Sequence, residues 1–154
     1  MKQDRFLIAI LAAVGIMVIA ALLVFFLRND SQAYGTEDTP QGVVRNYIIA
    51  IYHEDFERAY KALQDASDKP SYQDFQQSFL SRRLDPSDVS VRITGEKISD
   101  DNAVVKLNLT HGGTRLFDGS WSEPGNAILV LQNGDWKLVE MPYPYWDWQW
   151  DQKP

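Results

Sequence analysis

The chain has 154 residues, no cysteine, and 15 Lys+Arg against 21 Asp+Glu, for a net charge of −6. That length holds one ordinary domain with residues left over, and the missing cysteine excludes disulfides and lipid attachment through an N-terminal cysteine. Beyond Asp30 the balance is 12 Lys+Arg against 19 Asp+Glu, a net of −7, which repels phosphate backbones and anionic headgroups and argues against nucleic acid as a partner.

Residues 1–5 form a short N-terminal segment with Lys2 and Arg5. Residues 6–27 then read FLIAILAAVGIMVIAALLVFFL, without a charge. At about 1.5 Å per residue a helix of this length covers roughly 33 Å, enough for a hydrocarbon core of ~30 Å. A core helix of a globular domain carries a polar stripe, and this run has none. It therefore reads as a single-pass transmembrane signal-anchor. Lys2 and Arg5 ahead of it favour a cytoplasmic N-terminus and an extracytoplasmic C-terminal domain. The alternative is a signal peptide cut near Ser31-Gln32-Ala33, giving a secreted protein, but the apolar run is long for that class.

Residues 28–38, RNDSQAYGTED, are polar and aperiodic and read as a linker. Thr39-Pro40 is a helix start, a hydroxyl cap followed by proline at the first helical position. Val44, Tyr47, Ile48 and Ile51 follow at one helical face. His53-Glu54-Asp55 breaks the run, with Asp55 capping a second short helix whose inward residues are Phe56, Ala59, Tyr60 and Leu63. Residues 64–70 are a loop, and Ser71 caps a third helix with Tyr72, Phe75 and Phe79 inward.

After Pro86 the period becomes two. Val89, Val91 and Ile93 make one strand, Ser99–Asn102 a turn, and Val105, Leu107 and Leu109 the next strand. LFDGSWSEPGN (Leu116–Asn126) reads as a long connection. AILVLQ (Ala127–Gln132) is apolar on both sides, as a central strand is. Asn133-Gly134 has the residues of a tight hairpin turn, and DWKLVEM returns as the last strand. Helices followed by an antiparallel meander define an α+β layout over residues 39–141.

The paired helices RNYIIAIYHEDFERAYKAL, a third with SYQDFQQSF, and the closing hairpin NGDWKLVEM together resemble the NTF2-like (SnoaL-like, cystatin-like) superfamily, especially its small membrane-anchored bacterial members of unassigned function. The resemblance implies three helices packed on a curved antiparallel sheet, a cone with an apolar pocket. It does not imply an activity, since function lives in sites grafted on folds.

Enzymes on such a fold need ionisable groups inside the cone. The inward positions given by periodicity hold no acid and no histidine, so the inventory favours a non-catalytic binding or interaction module, membrane-tethered, with no cofactor or metal. The alternative is a small dehydratase- or isomerase-type enzyme using Tyr47, Tyr60, His53 or His111 as acid–base groups. Partners consistent with an acidic, tethered domain are a protein, a wall polymer or a small apolar ligand, with homodimerisation through the sheet implied by the resemblance. Contact candidates are Phe117 and Trp121, and the aromatic residues Tyr143, Tyr145, Trp146, Trp148 and Trp150 of the tail, residues 142–154. In WDWQW the tryptophans recur every second residue, which places all three on one side of an extended segment. They then pack on the domain, present a face to a partner, or meet the membrane interface.

Overall fold

The computed structural model describes the backbone of residues 2–28, 33–112 and 119–152, with side chains for 7–23, 33–112 and 119–150. Two compact units divide at residue 33.

The first unit holds helix α1, Lys2–Arg28. Its described side chains are apolar and, Gly15 apart, exposed. Residues 7–23 cover only about 26 Å at the helical rise. Among the described residues no helix is long and apolar enough to cross a membrane, so the expected span of 6–27 is not shown.

The second unit runs from Tyr34. Helix α2 spans Pro40–Tyr52, and Thr39 caps it by accepting the Gly42 amide. Its buried face carries Val43, Val44, Tyr47, Ala50 and Ile51, together with one polar residue, Asn46. Ile48 is only partly buried, because the face is rotated towards Val43 from the one periodicity suggests. Asp55 caps α3, Phe56–Lys61, and Ser71 caps α4, Tyr72–Leu80, through the Asp74 amide. Phe75 and Phe79 of α4 face the core, whereas Tyr72 lies edge-on to Tyr60 at the surface.

Four strands form one antiparallel sheet in the order β1-β2-β3-β4: Val89–Ser99, Asn102–His111, Trp121–Gln132 and Asp135–Glu140. Ala103, Val105, Leu107 and Leu109 of β2 alternate onto the buried face with Ala127, Leu129 and Leu138. Extra residues at Thr94 in β1 and Val139 in β4 interrupt the register and increase the local twist. Asn133 and Gly134 take φ values of 56° and 91°, the left-handed pair that a two-residue hairpin requires. After α3, Leu63 bridges to Leu138: Gln64 N–H donates to the Leu138 carbonyl and Leu138 N–H to the Ala62 carbonyl, both at 2.8 Å.

Two readings need correction. The stretch Trp121–Asn126 is not a connection but the first half of β3, with Pro124 opposite Asn108 and Trp121 opposite His111. Among the described residues that half pairs with β2 alone, since β4 pairs from Ile128 onward, and an edge tolerates proline. The tail is not extended either. Trp148–Gln152 is a 3-10 helix; Trp150 within it and Trp146 ahead of it are core, and Trp148 is outside.

Candidate functional site

The space between helices and sheet is where an acid–base site belongs. Tyr47, on α2, is fully buried, and its hydroxyl donates to the Tyr145 carbonyl at 2.7 Å. Tyr145, also fully buried, donates its own hydroxyl to the Val89 carbonyl at 3.2 Å. Tyr52 donates to that same carbonyl. Around them Trp150 lies 5.3 Å from Phe75 and 5.0 Å from Trp146, ring centre to ring centre. The chain's own tail therefore fills the inner face of the sheet.

Each of these tyrosine hydroxyls holds a backbone carbonyl, and the Tyr47 side chain also borders the polar cleft beside α3. Burial pushes the Tyr47 hydroxyl far above the usual tyrosine range. For Tyr145 burial comes first, reinforced by the Tyr52 hydroxyl. Neither serves as a base at ordinary pH. Because both hydroxyls are held protonated in the fold but ionise near pH 10 once unfolded, folding stability is expected to stay level below about pH 10 and to fall above it. Absorbance at 295 nm during alkaline titration checks this: Tyr47 and Tyr145 ionise only together with loss of the fold.

The remaining acid–base candidates lie apart. Tyr60 donates to the Pro70 carbonyl at 2.8 Å. His53 is exposed at the α2–α3 junction, edge-on to Tyr34 at 6.1 Å. His111, at the end of β2, stacks flat on Trp121 with ring centres 4.0 Å apart and planes 7° apart. Its Nε2 lies 3.0 Å from Glu123 Oε1. The cross-strand register produces this group: His111 faces Trp121 directly, and Glu123 is the diagonal neighbour two residues along. The carboxylate and the indole thus hold the imidazole in place, while Trp121 itself stays 56 % exposed.

The aromatic contact candidates divide sharply. Trp121, Tyr143 (62 % exposed) and Trp148 (63 %) are open to solvent; Tyr145, Trp146 (7 %) and Trp150 (4 %) are core. Phe117 lies outside the described residues. Asp147, between them in sequence, is buried, with Arg83 Nη2 2.8 Å from its Oδ2. That contact is off-axis for a hydrogen bond and acts as an ion pair.

A polar cleft of about 510 Å³ between the α3 region and the last hairpin is lined by Glu37, Asn46, Arg58, Lys61, Trp136 and Lys137 among others. Its charges are largely engaged with one another. Arg58 bonds Glu37 at 2.8 Å and covers the Tyr34 ring at 3.7 Å; Lys61 bonds Glu57 at 2.6 Å; Lys137 donates to the Lys61 carbonyl. Burial works against the Glu37 carboxylate, but hydrogen bonds from Arg58 and Asn46 outweigh it and hold the group below the usual carboxylate range. Asn46 itself receives the Gly35 amide and donates to the Gly35 carbonyl, each at 2.8 Å. Among the described residues no group of three metal-ligating side chains converges.

Residues that the sequence reading did not single out are Asn46, Arg83, Asp147 and Glu123. Asn46 carries a signal, a polar residue on an otherwise apolar helix face. Glu123 becomes visible only once β3 is seen to begin at Trp121.

No protein-family model matches the chain, and no curated protein matches it. Solved structures do. A SEC-C motif containing protein from Rhodopseudomonas palustris superposes with a TM-score of 0.51 over 70 % of this chain and 80 % of that one, at 12 % identity. At that identity the likeness is one of fold. An NTF-2 like protein of unknown function from Shewanella oneidensis gives a TM-score of 0.46 over 63 % of this chain and 88 % of its own, at 11 % identity. NTF2-like proteins are thus among the neighbours, and the second unit's own layout is α+β, three helices with a four-stranded antiparallel sheet.

Proposed function

We propose that the protein is a membrane-tethered, extracytoplasmic, non-catalytic NTF2-like module that binds a protein or wall polymer through its exposed aromatic side chains. The observation that carries the reading is the aromatic tail packed into the core. Tyr145, Trp146 and Trp150 are buried there, and the buried tyrosine hydroxyls are bound to backbone carbonyls. Recognition then falls to the surface, where Trp121, Tyr143 and Trp148 are the most exposed aromatic side chains among the described residues. Rigid aromatic rings lose little conformational entropy on contact and are favoured as anchors of recognition. Trp121 is held flat by His111, so it enters a complex already ordered. The tether is supported by the uncharged run 6–27 and by the exposed apolar side chains of α1, a surface that lipid would cover.

The experiment is a pull-down with the anchored full-length chain, comparing wild type with Trp121→Ala and Trp148→Ala. Each variant is expected to keep its melting temperature, because neither ring is core, and to lose about tenfold or more of the captured partner, as anchor residues do. Equal capture by wild type and both variants overturns the reading.

A further inference from the structure

The half of β3 that β4 does not reach is an edge with a definite pattern of main-chain groups. Leu131 N–H donates to the Asp101 carbonyl at 2.7 Å, on the β2 side. In an antiparallel ladder the N–H and C=O of one residue point to one side and those of the next to the other. The β2–β3 register runs unbroken from Asn102 and Val130 to His111 and Trp121. Odd-numbered residues of β3 therefore bond β2, and Ser122, Pro124 and Asn126 turn their main-chain groups outward. All three residues are exposed, and among the described residues no strand pairs with them on that side. Pro124 thus costs the β2 ladder nothing, and the edge offers the three carbonyls together with the Ser122 and Asn126 amides. Beyond Glu140 the tail leaves the line of β4, and Pro142 stands where a Cβ of Gly125 would be.

The side chains beside this edge favour one kind of occupant. Trp121 and Glu123 lie on the same side of the strand. His111 closes one face of the indole, and 56 % exposure leaves the other to solvent. His111 also holds one oxygen of the Glu123 carboxylate, and the second oxygen has no partner among the described residues. An open indole face next to a carboxylate oxygen suits a cation, and the net charge of −7 beyond Asp30 draws one in. A second copy of the chain fits poorly. Antiparallel self-pairing about Pro124 sets two prolines opposite each other without a donor, between two acidic domains.

We infer that residues 122–126 take up an extended basic segment of a partner protein as an added antiparallel strand, in line with β4. Main-chain bonds give the affinity, and Lys or Arg side chains against Trp121 and Glu123 give the selectivity. The inference rests on the partner-binding reading and narrows its partner to a basic peptide segment.

The probe is the peptide Ac-TKTRTKT-NH2, titrated into the 15N-labelled full chain in phosphatidylcholine nanodiscs, with empty nanodiscs as control. The Ser122 and Asn126 amides are expected to shift saturably and to exchange at least about tenfold more slowly. The Glu123 and Gly125 amides, already bonded to β2, are expected to keep their exchange rates. N-methylation at the threonines, whose amides face β3, is expected to weaken binding about tenfold or more, the worth of the lost hydrogen bonds. N-methylation at the Lys and Arg residues, whose amides face away, is expected to leave it within about twofold. Asn126→Pro removes an outward donor and leaves the β2 ladder whole, and it is expected to weaken binding about tenfold. Glu123→Gln is expected to weaken it about threefold. Absence of protection at Ser122 and Asn126, or equal binding by the two methylated peptides, overturns the inference. If protection is absent while Trp121→Ala still loses capture in the pull-down, the partner-binding reading stands, with a wall polymer or another protein surface as its partner.

Discussion

Trp150→Ala is expected to lower the free energy of unfolding by about 3–5 kcal/mol, and Trp146→Ala by a similar amount, because each deletes a large ring from a packed core. Trp148→Ala is expected to stay within about 0.5 kcal/mol, since its ring is solvent-exposed. Urea denaturation of the three variants measures the contrast directly. Trp150 touches both Phe75 and Trp146, so the double variant Trp146→Ala/Trp150→Ala is expected to cost less than the sum of the single ones. Three equal losses would mean that the tail lies as an extended strand. Three negligible ones would mean that it does not pack at all.

The tail shows why part of this molecule was legible in its sequence and part was not. Tryptophans at 146, 148 and 150 share one side of a strand. In the structure Trp146 precedes the 3-10 turn that begins at Trp148, and 146 and 150 are core while 148 is exposed. A period-two pattern this short does not fix how the chain winds, and only burial in the core, against Phe75 among others, decides it. Where local chemistry decides, the reading was direct. Thr39, Asp55 and Ser71 each accept a helix N-terminal amide, and Asn133-Gly134 makes the turn its residue types demand. The first half of β3 failed for the opposite reason. Pro124 and Gly125 are loop residues by propensity, yet Gly125 is required by a neighbour distant in sequence. A Cβ there would lie 2.7 Å from Leu109 Cδ1 and 3.1 Å from Pro142 Cγ. The glycine marks the close passage of the returning tail over the sheet, which no local pattern can announce. The candidate site followed the same rule. His111, Trp121 and the tail aromatics were visible as residue types, but their sorting into surface and core depended on register and burial.

Asn46→Ala is expected to cost about 2–4 kcal/mol, on the basis of three hydrogen bonds, one of them to a carboxylate. The Asn46 amide behaves as a backbone partner for Gly35: Oδ1 takes its N–H, Nδ2 gives to its carbonyl, and Nδ2 also reaches Glu37 Oε1 at 2.9 Å. With Tyr34 donating to Asp55 Oδ2 at 3.2 Å, this ties residues 34–37, expected to be loose linker, onto α2 and α3. Gly42 closes the joint, because a Cβ there would stand 2.2 Å from the Thr36 carbonyl oxygen. Asn46→Asp is the sharper test. It keeps Oδ1 but sets a carboxylate oxygen against the Gly35 carbonyl and Glu37, so at neutral pH it is expected to be worse than alanine and to recover in part as acid protonates it. Arg58→Ala, by contrast, removes a half-exposed ion pair and is expected to cost under about 1 kcal/mol from lost charge pairing. Hydrogen exchange at the Gly35 amide, read beside urea denaturation, separates two consequences. If Asn46→Ala accelerates that exchange and lowers global stability together, the lead-in segment folds with the domain as one cooperative unit. Faster exchange at unchanged global stability would instead make it a locally opening flap.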